Sequence, residues 1–149
     1  MSATIEGVYF VPRRVIPSSQ GEVRHVLKNT DPEFSLDALP FGEAYISILF
    51  PDLRKDWKLH TGSVSRLAVL QGTIEFVMHD MRETSPTFGQ FQRETVGDQQ
   101  YGLLVVPAGV AATWRNVSEG NTMILNIATL PHDPAESKII PFEEIEFTW

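Results

Sequence analysis

The stretch TIEFVMHDMRETSPTFGQFQRETV, residues 73–96, decides the fold. Ile74, Phe76 and Met78 alternate with Thr73, Glu75 and Val77. A period of two puts one set of side chains on a core and the other on the opposite face of a strand. The alternation breaks at Ser85-Pro86-Thr87-Phe88-Gly89. Pro86 fixes φ, and Gly89 permits a backbone conformation that other residues resist, so this segment reads as a turn. QFQRETV then resumes a strand-length run.

The same pattern extends outward in both directions. In GEAYISILF, residues 42–50, Ala44, Ile46, Ile48 and Phe50 share one face, and Tyr45, Ser47 and Leu49 the other. SRLAVL, GLLVVP, ATWRNV and TMILNIA are further runs of strand length, many of them β-branched or aromatic. LQGT, VGDQ, PAG and SEGN punctuate them as turns. No segment holds a 3.6-residue period for three turns; SLDALP and PFEEIEF each have room for one helical turn. Roughly ten short strands with no linker, repeat or low-complexity tract predict a single all-β domain over residues 1–149, a closed barrel or double-sheet jelly roll that limits exposed edges. The alternation predicts that Ile46, Ile48, Leu67, Val69, Ile74, Phe76, Leu104 and Ile124 are buried.

Composition narrows the function. The chain of 149 residues has no cysteine, so disulfides, Cys-zinc sites and thiol nucleophiles are excluded. A net charge of −7 argues against general nucleic-acid binding, because the phosphate backbone would be repelled. No apolar run has the length of a membrane span, and MSATIEGVYFVPRR lacks the basic start and continuous apolar core of a signal peptide. A cytoplasmic protein is the expectation. Locally the charge reverses: Arg54, Lys55, Lys58 and Arg66 face only Asp56 in acid, an excess suited to a small phosphorylated ligand.

HDMRETSPTFGQF followed by LLVVPAGVAATW resembles the dTDP-4-dehydrorhamnose 3,5-epimerase family. The matching features are Asp80 and Arg82, the Ser85–Gly89 loop, and the Pro107–Gly109 turn; IEGVYFVPRRVIPSSQGEV is similar to the family's first strands. The resemblance implies a cupin-type double-sheet jelly roll and homodimers formed by strand exchange at the N-terminal end. It also implies a nucleotide-sugar substrate and chemistry that needs no cofactor. In such chemistry a histidine takes a proton next to a 4-keto group, a lysine stabilises the enolate, a tyrosine acts as acid on the other face, and arginines hold the diphosphate.

Carried over residue by residue, the resemblance is partial. His60 in WKLH matches the family's histidine, while Trp57 replaces the arginine of that motif. The lysine position falls on Ser65, beside Arg66; the tyrosine position falls near Asn126; the arginine before the early turn is Gln20. Lys58 stands two residues before His60, so both side chains leave the same side of a strand. His60 is therefore the expected base or acid, and Lys58 or Arg66 the stabiliser of negative charge. A catalytic histidine needs its far nitrogen held; Asp133 in PHDP is the nearest candidate for that. Trp57 and Tyr45 are candidates to stack on sugar or base, as are Tyr101 and Trp114. Arg24 and His25 add one basic contact each if their strand faces the pocket.

A metal-dependent cupin would need ligands where this chain has Lys58 and Ala112, and a single histidine cannot build a facial triad. No metal is expected. His79 is expected on the second face of its sheet, and His132 in an exposed turn. The contrasting reading is a sugar-binding or structural barrel derived from the enzymes and without turnover. The lost lysine and tyrosine favour it; the His60–Lys58 pair favours the enzyme.

Overall fold

The computed structural model describes residues 4–38 and 40–149. Residues 1–3 of the N-terminal stretch and Leu39 of SLDALP lie outside them. Within the described residues the strands are β1 (Tyr9–Pro12), β2 (Val15–Ser18), β3 (Gly21–Arg24), β4 (Glu43–Leu49), β5 (Trp57–His60), β6 (Ser65–Gln71), β7 (Thr73–Asp80), β8 (Phe91–Gly97), β9 (Gly102–Val106), β10 (Val110–Asn116), β11 (Thr122–Ala128) and β12 (Ser137–Ile140). Two 3-10 segments, Pro32–Ala38 and Phe142–Glu144, fall where the sequence has room for single helical turns.

Two five-stranded sheets face each other, in the orders β1-β9-β6-β11-β4 and β12-β5-β10-β7-β8. Every pairing is antiparallel, which makes this the double-sheet jelly roll expected from the alternation. The hairpin β2–β3 forms a small sheet of its own. Between the large sheets lies a core that includes Leu67, Val69, Ile74, Phe76, Met78, Leu104 and Ile124.

Each large sheet is also covered outside. Trp57, Leu59, Val77 and Ala111 pack beneath the C-terminal segment around Phe142 and Trp149. Val64, Ala68, Leu103 and Val105 pack against Val26 and Leu27, which follow β3. Central strands buried on both faces read as near-continuous apolar runs, as SRLAVL and GLLVV do.

Two expected core residues are not buried. Ile46 is 53% and Ile48 45% exposed, because β4 is an edge strand with its Tyr45–Ser47–Leu49 face turned inward. The alternation of β4 is correct, but its two faces are assigned the wrong way round from sequence.

The Ser85–Gly89 loop closes on Asp80. That buried carboxylate accepts from Arg82 Nε (2.8 Å) and Nη2 (2.9 Å), Ser85 Oγ (2.7 Å) and Thr87 Oγ1 (2.6 Å). Burial alone would raise the Asp80 pKa, but these donors outweigh it and hold the carboxyl well below the usual carboxylate range. Arg82 in turn lies under the Pro107–Gly109 turn. A Cβ on Gly109 (φ +82°) would stand 2.5 Å from Arg82 Cγ, so glycine is needed there for both space and conformation.

Candidate active site

Gly109 N–H donates to the carbonyl of His60 at 2.8 Å. The loop that carries the family resemblance therefore reaches the site through Arg82, Gly109 and the backbone of β5. On β5, alternation sends Lys58 and His60 into a cavity of about 430 Å³ between the sheets. The opposite wall comes from Tyr45 and Ser47 of β4, Ser65 and Leu67 of β6, and Ile124 and Asn126 of β11. Lys55 and Trp114 also line it. A second cavity of about 370 Å³ shares Tyr45, Lys58 and His60 and is closed by Glu43, His132 and Glu136. His60 and Lys58 thus line both spaces.

Glu136 holds His60. It precedes β12, whose Ser137 lies opposite His60 in the ladder, so strand pairing brings residues 76 positions apart side by side. His60 Nδ1 is 2.9 Å from Glu136 Oε2 and 3.1 Å from Oε1. Glu136 also accepts from the Ser63 N–H at 2.8 Å. Burial pushes the Glu136 carboxyl up, but the hydrogen bonds from His60 and the Ser63 N–H more than offset this and lower it. An ionised carboxylate only accepts, so Nδ1 carries a proton, and in the neutral form of the ring the lone pair is then on Nε2. The expectation of a carboxylate on the far nitrogen is met by Glu136 and not by Asp133, which instead accepts from the Ala135 N–H at 2.9 Å.

Lys58 lines the cavity and forms no ion pair among the described residues. Asn126 and Tyr45 pair across β11 and β4: Asn126 Nδ2 donates to the Tyr45 hydroxyl at 2.9 Å. Asn126 Oδ1 accepts the backbone N–H of Arg66 at 3.1 Å, which fixes which end of the amide faces Tyr45. Tyr45 is a polar wall of the cavity.

Four other sequence candidates lie elsewhere. Arg66 points out of the barrel and is fully buried; its guanidinium donates to the carbonyls of Glu33 (2.9 Å), Phe34 (2.6 Å), Pro40 (2.7 Å) and Ile127 (2.6 Å). It anchors the Pro32–Ala38 segment. Trp57 leaves β5 on the face opposite Lys58 and His60, stacks on Phe142 at 5.8 Å, and donates to its carbonyl at 3.2 Å. Arg24 sits on the β2–β3 hairpin, 2.6 Å from Glu22 and over the Tyr101 ring. His25 offers its carbonyl to the Tyr101 hydroxyl at 2.9 Å. None of the four lines the cavity of its own chain. Tyr101 is likewise absent from it, whereas Trp114 lines it and packs on Phe76.

Among the described residues no group of three His, Cys, Asp or Glu side chains could hold a metal ion, and Ala112 lies opposite Lys58 in the β10–β5 ladder. No helix of the described residues is long and apolar enough to cross a membrane.

The family model for dTDP-4-dehydrorhamnose 3,5-epimerase matches residues 59–149. The crystal structure of a dTDP sugar isomerase from Desulfovibrio desulfuricans G20 is 34% identical, superposes with a TM-score of 0.90, and the match covers 97% of this chain and 92% of that one. The spore coat polysaccharide biosynthesis protein SpsL of Bacillus subtilis is 29% identical over 113 residues, 73% of this chain and 75% of its own. A dTDP-4-dehydrorhamnose 3,5-epimerase from Bacillus anthracis, solved with TDP and pyrophosphate bound, shares the fold at 16% identity and a TM-score of 0.86, over 100% of this chain and 88% of that one.

Proposed function

The chain belongs to the dTDP-4-dehydrorhamnose 3,5-epimerase family, and from that membership we propose that it is a metal-independent nucleotide-sugar epimerase or ketoisomerase of deoxysugar or polysaccharide synthesis. The observation that carries this reading is the His60–Glu136 pair beside Lys58 in a cavity of about 430 Å³. That volume is in the range of small-ligand sites, roughly 300–1,000 Å³. His60 Nε2 takes the proton from the carbon next to the ketone. The electron pair moves onto the ketone oxygen, and the Lys58 ammonium stabilises the resulting enolate. Lys55, at the same cavity, is placed to meet a phosphoryl group.

The protein is further proposed to work in the cytoplasm, with residues 1–149 as one jelly-roll unit, and as a homodimer. The exposed β2–β3 hairpin and the apolar outer face of β4 support the dimer. The reading without turnover is favoured by the family resemblance itself, which puts Ser65 at the lysine position and the tyrosine position near Asn126.

Incubation with a dTDP-4-keto-6-deoxyhexose in deuterated water separates the two. An enzyme exchanges the proton next to the ketone, and His60→Ala removes that exchange while affinity stays within a few fold; a general base typically contributes about 10²–10⁴-fold. Wild-type exchange rates in His60→Ala exclude His60 as the base. Binding without exchange in both proteins establishes the barrel without turnover. Prior chelation leaves the wild-type rate unchanged.

A further inference from the structure

An enolate formed by His60 has two fates. A proton returned from the same side restores the starting sugar, whereas a proton delivered from the opposite side inverts the carbon. Inversion therefore requires a donor on the wall facing β5. Across the cavity from His60, the opposing sheet presents Tyr45, Ser47, Ser65 and Asn126 as its polar side chains. Asn126 bonds Tyr45 and the Arg66 backbone, and an amide N–H is in any case too weak an acid to protonate carbon. Of the three that remain, Tyr45 alone carries a phenol, which gives up a proton more readily than a serine alcohol does.

The hydrogen-bond direction is decisive. Because Asn126 Oδ1 is held by the Arg66 N–H, its Nδ2 must donate to Tyr45. The phenol oxygen is thus an acceptor towards Asn126, and its own O–H stays free to point into the cavity. Donation to that oxygen also stabilises the phenolate left after proton transfer. Tyr45 reaches the cavity from the edge strand β4, directly opposite Asn126 in the ladder.

We propose that Tyr45 is the acid that protonates the enolate on the face opposite His60, with Asn126 as its positioning residue, so that this pocket inverts its substrate carbon. The assignment rests on the function proposed above. In the step the carbon–hydrogen bond breaks towards His60 Nε2 and a new one forms from the Tyr45 O–H on the other face. Solvent then removes the proton from the His60 imidazolium and returns one to the Tyr45 phenolate, so no oxidant or reductant is involved.

The test follows deuterium exchange and epimer formation together, with a dTDP-4-keto-6-deoxyhexose in deuterated water. The wild type is expected to do both. Tyr45→Phe is expected to keep exchange while inversion falls about 10²-fold. Asn126→Leu is expected to lower the ratio of inversion to exchange in the same sense, a readout that misfolding or weak binding would not move because either lowers both together. Inversion at the wild-type rate in Tyr45→Phe overturns the assignment. So does an equal loss of exchange and inversion, which would place Tyr45 in enolate formation or in packing. A wild type that does not exchange removes the proposed function and this assignment with it; that outcome differs from the others because it shows in the unmodified protein.

Discussion

Glu136 keeps a negative charge beside His60 although burial opposes it. Its folded pKa lies below the ordinary carboxylate value of about 4.3, so the pair stabilises the fold above that pH and the contribution is lost as pH falls through the folded pKa. Glu136→Gln should therefore be less stable than the wild type at neutral pH, with the gap closing below about pH 4 in denaturant melts followed by circular dichroism. At neutral pH its proton exchange should also fall, by less than the loss in His60→Ala, because the base remains but its tautomer is no longer fixed. Asp133→Asn should leave exchange unchanged, since Asp133 bonds only its own turn. The reason Asp133 misleads is local: the sequence places an acid at a turn, and only the β12–β5 register shows that the residue delivered to His60 is three positions later.

At the scale of elements, β4 tests which face of an alternating strand is inside. Ile124→Ala removes side-chain volume from between the sheets and should cost about 2–5 kcal/mol. Ile48→Ser changes the outward face of an edge strand and should cost well under that in dilute solution, measured by urea unfolding. Near-equal losses would mean that β4 packs the other way round. The Pro107–Gly109 turn is a second element with a defined outcome. Gly109→Ala meets Arg82 at 2.5 Å and sits at φ +82°, where a side chain costs roughly 1–2 kcal/mol before any clash is counted. Because Gly109 also donates to the His60 carbonyl, exchange should fall in this variant even at temperatures where it stays folded.

Across the whole molecule, the outer face of the β12–β8 sheet depends on the C-terminal segment. His79 lies there, stacked on Phe91 at 4.2 Å and edge-on to Trp57, with Nδ1 buried and unpartnered among the described residues. Burial lowers its pKa. A histidine whose folded pKa is depressed contributes stability that is complete above the unfolded value of about 6.5 and is lost as pH falls through the folded pKa, because the unfolded chain binds the proton more readily. The melting temperature should thus drop between about pH 7 and pH 5.5, and His79→Leu should flatten that drop. An identical slope in both proteins would show that His79 is not the group responsible.

The jelly roll was legible in the chain because strand alternation, Pro86, Gly89 and Gly109 are local signals that every level of the structure obeys. The pairing of Lys58 with His60 was legible for the same reason, since two residues apart on a strand means one face. The sequence also predicted His79 on the far side of its sheet, where it lies. Tertiary structure decided the rest. Period-two alternation does not say which face is inside; that depends on what covers the other, and β4 has little cover while β6 is covered on both sides. Arg66 reads as a free cation in sequence, yet backbone carbonyls from residues 33, 34, 40 and 127 converge on it. Trp57 reads as a ligand platform, yet β5 turns it under Phe142. Glu136 and the Tyr45–Asn126 pair enter the site only through antiparallel registers joining strands 76 to 81 residues apart, and a register of that span is fixed by packing across the whole barrel and not by any local signal.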